Sequence, residues 1–183
     1  MPLDIWTVAS AAIGGILTGS FLLAGQWLQY WLQRRSAVRD RSDKAASALR
    51  ALLLELRQLH LKSNQTSMLS LPDEIETELP RLNIKMQKYI GEVLDKSLRE
   101  RLTRILEALN STDAIAQWEG EYPRTAHLRL IEQGDEVLSA YGRHDKVPRE
   151  PDFLRNYMAA ITDYYEEYKR TIEEHKKRKG KES

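Results

Sequence analysis

The chain has 183 residues, the length of one ordinary domain or of a small domain with an appended segment. Lys and Arg number 28 and Asp and Glu 27, so the near-neutral chain is not a general polyanion binder. No cysteine is present, which excludes disulfides, cysteine zinc sites, iron–sulfur clusters and cysteine nucleophiles.

An apolar segment without charged side chains covers residues 5–33 and is most apolar from Ile5 to Gly25. A helix of that apolar length covers about 32 Å, close to the ~30 Å hydrocarbon core of a bilayer. Aromatic side chains, which favour the headgroup region, stand at both ends. The pattern predicts a transmembrane helix with an interfacial extension over 5–33. Its predicted interfacial belt consists of Trp6, Trp27, Tyr30, Trp31, Arg34 and Arg35.

A cleaved signal peptide is a weaker interpretation of this segment. Such a peptide needs a positively charged leader and small residues at the cleavage site, whereas the leader here carries only Asp4. A buried helix of a globular domain would rarely stay uncharged for so long. We therefore favour a membrane anchor.

Basic residues follow the apolar segment, with six basic and two acidic side chains in residues 34–50. The positive-inside rule then predicts a single-pass protein with residues 1–4 outside and the C-terminal domain in the cytoplasm. This layout resembles that of many small bacterial membrane proteins, a resemblance that assigns no role to any single residue.

Small residues and amides follow one face of the predicted span. Small residues allow two membrane helices to approach closely, and amides can hydrogen-bond between them. The pattern predicts a homodimer formed through the span, although Gly and Ala are common in membrane helices generally. The predicted packing face consists of Ala11, Gly15, Gly19, Gln26, Gln29 and Gln33.

The rest of the chain predicts an all-α bundle of about four helices over residues 34–175. Neither Gly nor Pro occurs between Gln26 and Leu71, so the first bundle helix can continue directly from the span with coiled-coil character. Its predicted heptad-like seam consists of Val38, Ala45, Leu49, Leu52, Leu56 and Leu59.

Local signals divide the remaining sequence into helices. Asp73 with Glu76, and Ser97 with Glu100, form capping-box patterns that predict two helix starts. Pro80 predicts a kink or a restart in the helix between them.

Further signals mark the C-terminal helices. Gly120 predicts the end of a short helix, Pro123 the first residue of the next, and residues 143–152 a loop in which Asp152 caps the last helix. An apolar stripe on that last helix is predicted to lie in the core. The stripe consists of Leu154, Tyr157, Ile161, Tyr164, Tyr168, Ile172 and His175.

Charge is segregated along the chain. Residues 51–168 carry 15 basic and 21 acidic side chains, whereas residues 169–183 carry seven basic and three acidic ones. The basic tail, residues 176–183, is predicted either to contact an anionic membrane or to be a solvated, dipole-complementing helix end. Its basic residues are Lys176, Lys177, Arg178, Lys179 and Lys181.

The sequence contains little that indicates catalysis. No two of the four histidines have the helical spacing of a metal site, and His144-Asp145 falls in the proline-rich loop, where a surface role is favoured over a phosphohydrolase one. The acidic run from Asp73 to Glu78 is typical of a helix start. We therefore predict no catalytic residue, metal site or cofactor, and no nucleic-acid partner for the acidic body.

These observations favour a single-pass, membrane-anchored interaction or adaptor protein that is not an enzyme. Its expected partners are the lipid bilayer, a second copy through the span, and a cytoplasmic protein. One alternative is a membrane-acting effector, of pore-forming or lysis type, that assembles through the glycine-rich span. Another is a membrane-tethered enzyme whose site follows no recognisable motif.

Overall fold

The computed structural model describes the backbone of residues 5–63 and 70–179, and the side chains of residues 25–63 and 70–177. Every regular element in these ranges is an α-helix, so the all-α class and the helical bundle are confirmed. The described chain contains six helices rather than about four. They are α1 (Ile5–Lys62), α2 (Asp73–Glu92), α3 (Lys96–Leu109), α4 (Thr112–Glu119), α5 (Pro123–Gly142) and α6 (Asp152–Lys179).

The chain divides into two compact units, Met1–Arg41 and Ser42–Ser183. In the first unit, every described side chain of α1 is exposed. The second unit holds the rest of α1 and the five other helices, and its core is built from residues of all of them. Burial in α1 therefore begins abruptly at Ser42, whose side chain is fully buried.

The predicted seam of α1 enters the core of the second unit only in part. Ala45, Leu49, Leu52 and Leu56 are buried, and Leu59 packs against the core from its edge. Val38 was wrongly placed in this seam, because its side chain is 43% exposed and precedes the first buried residue of α1. The apolar spacing is continuous in sequence, but neighbouring helices cover it only from Ser42 onward.

Helix α3 is the central element of the second unit, because it contacts α2, α4, α5 and α6. Half of its residues are buried, on a face wide enough to meet several neighbours. These residues are Leu98, Arg101, Leu102, Ile105, Leu106, Ala108 and Leu109.

Two predicted capping boxes are absent at the described helix starts. Asp73 is already the first residue of α2, whose cap position is held by Pro72 without a side-chain hydrogen bond. The cap of α3 is Asp95, whose carboxylate accepts a hydrogen bond from the Leu98 amide at 2.8 Å. Ser97 lies one residue inside α3, and a cap must precede the first helical residue.

Pro80 does not divide α2, which runs unbroken from Asp73 to Glu92. Proline removes one helical hydrogen bond, and here the orphaned carbonyl belongs to Glu76. Both residues are exposed, so water can satisfy that carbonyl at small cost. The prediction of a restart at Pro80 was wrong for this reason.

The turns around α4 and α5 were predicted correctly. Gly120 follows α4 in the left-handed conformation at φ 68°, which a glycine adopts without strain. Pro123 is the first residue of α5, where its missing amide proton leaves no helical bond unmade.

The apolar stripe of α6 is buried only along its first half. Leu154, Tyr157 and Ile161 lie in the core, and Tyr164 packs edge-on against Trp118 with ring centroids 5.7 Å apart. Beyond that contact the stripe emerges from the bundle, so the prediction that its second half is core was wrong. Helix α6 extends beyond the helices that pack against it.

Candidate functional site

An exposed aromatic and basic segment of α1 forms the first candidate site. We call it the collar and define it as Trp27, Tyr30, Trp31, Arg34 and Arg35. The side chains of Trp27, Tyr30 and Trp31 are 68%, 62% and 44% exposed. The Arg35 guanidinium lies 5.3 Å from the centroid of the Trp31 ring, a cation–π contact that holds charge beside an aromatic face. Large rings and cations alternating on a bare helix are typical of a membrane–water interface.

Of the predicted packing face, the structure describes the side chains of the three glutamines. Gln26, Gln29 and Gln33 are all exposed, and their spacing places them along one side of α1. The side chains of Trp6, Ala11, Gly15 and Gly19 lie outside the described residues. Within residues 25–63 and 70–177, whose side chains the structure describes, no helix has an apolar stretch of the length that a bilayer crossing requires.

A groove of about 1020 Å³ lies between α2 and α3, and Tyr165 of α6 also contributes to its lining. Ile90 and Leu106 supply its apolar lining. Its two arginines are engaged within the chain: Arg104 binds both carboxylate oxygens of Glu150, at 2.9 and 2.6 Å, and Arg99 donates to the Val93 carbonyl at 3.0 Å. These bonds hold the two arginine side chains in the wall of the groove. We therefore interpret the groove as a binding surface rather than as a catalytic site.

The most unusual polar contact of the core is between two histidines. Nε2 of His60, at the end of α1, lies 2.7 Å from Nδ1 of His127 in α5, and both side chains are buried. The outer nitrogens, His60 Nδ1 and His127 Nε2, are buried and make no hydrogen bond. A hydrogen bond between two neutral rings needs one donor nitrogen and one acceptor nitrogen, which this pair supplies. A charged ring would also carry a proton on its buried outer nitrogen, where no acceptor is present to compensate the charge.

Burial keeps this histidine pair neutral. It lowers the pKa of His127 to about 3, with a smaller effect from His60. Burial also lowers the pKa of His60 to about 4, assisted by the positive charge of Arg124. Arg124 is held there by a 2.9 Å hydrogen bond from its guanidinium to the His60 carbonyl. The pair is therefore a neutral structural contact at ordinary pH.

Sequence analysis missed this pair because the two residues are 67 positions apart. A usable signal was present in the helical spacing, since His60 follows Leu52 and Leu56 on the buried face of α1. That spacing indicates a buried imidazole but does not identify its partner. The partner is decided by the packing of α5 against α1.

The His144-Asp145 dipeptide has a structural role at the end of α5. His144 adopts a positive φ of 58°, and the Asp145 amide donates to the Ala140 carbonyl at 2.9 Å. The Asp145 carboxylate accepts from Arg143 at 2.7 Å. The dipeptide thus terminates a helix.

No group of three or more His, Cys, Asp or Glu suitable for a metal ion occurs in residues 25–63 and 70–177. The acidic run of α2 places Asp73, Glu74 and Glu76 in its first turn, where they complement the helix dipole.

The predicted basic tail is helical where the structure describes it, because α6 extends to Lys179. The side chains of Lys176 and Lys177 are exposed. Those of Arg178, Lys179 and Lys181 lie outside the described residues. The described part of the tail is therefore the exposed end of a helix rather than a loop.

Comparison of the chain with known protein families, with curated proteins and with solved structures gives no match.

Proposed function

We propose that the chain is a single-pass, membrane-anchored interaction protein whose helical domain faces the cytoplasm. The observation that carries this proposal is the collar. Three large aromatic rings and two arginines are exposed on α1 directly after an apolar segment of membrane-spanning length. Indole and phenol rings gain most at the headgroup boundary, where one edge is apolar and the other is wet.

The span is assigned to residues 5–33 because the uncharged sequence matches the thickness of a bilayer. The basic residues after it favour retention of the C-terminal domain in the cytoplasm. Anchoring raises the effective concentration of that domain for any partner at the same membrane. The groove between α2 and α3 is the surface that we assign to a protein partner, and no catalytic step is assigned to the chain.

A matched pair of substitutions tests the anchor. Leu17→Arg places a charge at the middle of the proposed span, which costs about 3 kcal/mol at the bilayer centre. Leu61→Arg makes the same change at a side chain that is 76% exposed in the second unit. We expect the first variant to lose resistance to alkaline extraction of membranes and the second to retain it. Equal extraction of the unsubstituted chain and of Leu17→Arg would contradict the proposal.

Labelling with a membrane-impermeant thiol reagent tests the orientation. The chain has no cysteine, so single cysteines at Leu3 and Lys181 report separately on the two ends. Labelling of intact cells at position 3 and not at 181 is expected. The reverse pattern would contradict the cytoplasmic assignment while leaving the anchor intact.

A further inference from the structure

The last part of α6 forms an exposed helical arm, which we define as residues 165–177. Every side chain in this range is exposed. The stripe that is buried at Leu154, Tyr157 and Ile161 nevertheless continues along it. Its members on the arm are Tyr168, Ile172 and His175, and Tyr165 lies beside them. Tyr165, Tyr168 and Ile172 are exposed by 49%, 56% and 36%. An amphipathic helix with a bare apolar stripe has a face suited to a surface outside its own chain.

The charged side chains that border the stripe are basic, whereas the far side carries glutamates together with Arg170 and Lys177. At 3.6 residues per turn, Lys169 and Lys176 border the stripe. The acidic residues of the arm lie on the far side, where the Glu166 carboxylate forms an ion pair with the Arg170 guanidinium at 3.7 Å. The arm therefore presents tyrosine, isoleucine and lysine on one face. The far-side glutamates are Glu166, Glu167, Glu173 and Glu174.

This arrangement disfavours pairing of the arm with a second copy. Antiparallel pairing centred near Ile172 would bring Lys169 of each helix beside Lys176 of the other, which is repulsive. Parallel pairing would place each lysine opposite tyrosine or threonine. Neither orientation brings a glutamate across from the lysines. An anionic surface, by contrast, complements both at once.

We propose that the arm lies along the surface of an anionic bilayer, with Tyr168 and Ile172 in the interfacial region. Lys169 and Lys176 then extend their apolar stems beside the stripe and place their ammonium groups among headgroup phosphates. The basic sequence that follows, from Lys177 onward, adds to the same attraction. The inference rests on the proposed function, because the anchor brings the arm to the membrane.

Single-cysteine labelling of the full chain tests the arm. An environment-sensitive fluorophore is attached at Ile172→Cys, on the stripe, and in a matched variant at Glu174→Cys, on the far side. Both proteins are reconstituted into vesicles of phosphatidylcholine, with or without phosphatidylglycerol. We expect a blue shift and quenching by doxyl-labelled lipid at position 172 in anionic vesicles only, and a much smaller response at position 174. In the protein labelled at position 172, the further change Lys169→Gln should weaken the binding of the arm to anionic lipid by roughly fivefold, because one basic residue beside the headgroups is lost.

Three results would overturn the inference. One is an equal response at positions 172 and 174, and another is a response that ignores lipid charge. The third is a response that grows with protein density at fixed lipid composition, which would indicate pairing between copies. Flotation with neutral vesicles separates the two proposals: failure to float contradicts the anchor, whereas a float-positive chain with a silent position 172 contradicts only the arm.

Discussion

The imidazoles of His60 and His127 share a single hydrogen bond of 2.7 Å inside the bundle, and this bond joins the end of α1 to α5. Each ring also carries a buried nitrogen without a hydrogen bond. A neutral pair tolerates this arrangement, whereas two imidazolium rings at that distance would repel each other. The contact therefore makes the stability of the second unit sensitive to acid.

The pH dependence follows from the lowered pKa values of the two rings. The folded pKa values are about 4 for His60 and about 3 for His127, below the unfolded value of about 6.5. The unfolded chain therefore binds more protons below pH 6.5, and stability is lost as pH falls toward the folded values. Each imidazole contributes a slope of about 1.4 kcal/mol per pH unit in that window.

Urea unfolding of the full chain in a non-ionic detergent between pH 7 and 4.5 measures this effect. The double variant His60→Leu with His127→Leu should flatten the pH dependence, because it removes both titrating groups. His175→Gln, on the exposed arm, should leave the slope unchanged. A double variant with the original slope would exclude the pair as its source.

Two helical glycines should respond oppositely to alanine. A Cβ at Gly134 would stand 2.6 Å from Leu53 Cδ1 in the core, so Leu53 must move. A Cβ at Gly91 meets nothing within 4 Å. We expect Gly91→Ala to stabilise the fold by up to about 0.5–1 kcal/mol. Gly134→Ala should destabilise it by up to about 2 kcal/mol, because overpacking against Leu53 exceeds the same helical gain. Urea midpoints compare them, and equal midpoints would contradict the close approach of α1 and α5.

Ser42 ties three parts of the second unit together. Its buried hydroxyl accepts from the Leu94 amide at 3.0 Å and lies 3.0 Å from the Tyr141 hydroxyl. Ser42→Ala should cost about 1–3 kcal/mol, because the Leu94 amide loses its acceptor. Ser47→Ala is the matched control, since Ser47 is exposed on the same helix. Because alanine favours a helix more than serine does, Ser47→Ala should be neutral or slightly stabilising. A loss in this control equal to that of Ser42→Ala would contradict the role of the buried hydroxyl.

The positive φ of His144 predicts stabilisation by glycine. A left-handed conformation costs a residue with a Cβ roughly 1–2 kcal/mol, and Gly avoids most of this strain. His144→Gly should therefore raise the free energy of unfolding, whereas the β-branched His144→Val should lower it. Identical thermal midpoints for the two variants would show that the end of α5 is unstrained.

Self-association through the proposed span is tested by Gly15→Leu with Gly19→Leu. Bulky side chains on the predicted packing face prevent close approach of two helices. Native mass spectrometry of the full chain from detergent should show dimers that the double variant loses. Gly25→Leu provides a control outside the small-residue row, and dissociation by this variant alone would assign the contact to another face.

Local sequence signals predicted much of the fold but little of its polar interior. The ends of α4 and α5 followed from Gly120 and Pro123, because backbone conformation at such residues is dictated by their own covalent structure. The caps of α2 and α3 did not follow, because Asp73 and Ser97 satisfy the same pattern whether they precede a helix or begin inside it. The groove between α2 and α3 likewise depends on which helices become neighbours.

The sequence by itself determined the all-α class, the helical periodicity and the position of the uncharged apolar segment. These depend on residue type and spacing along one helix. Tertiary structure alone decided that Val38 is exposed, that His60 meets His127, and that the stripe of α6 is uncovered beyond Tyr164. The physical reason is that an apolar stripe specifies which face of a helix favours burial, whereas the length and placement of the neighbouring helices decide how much of that face is buried.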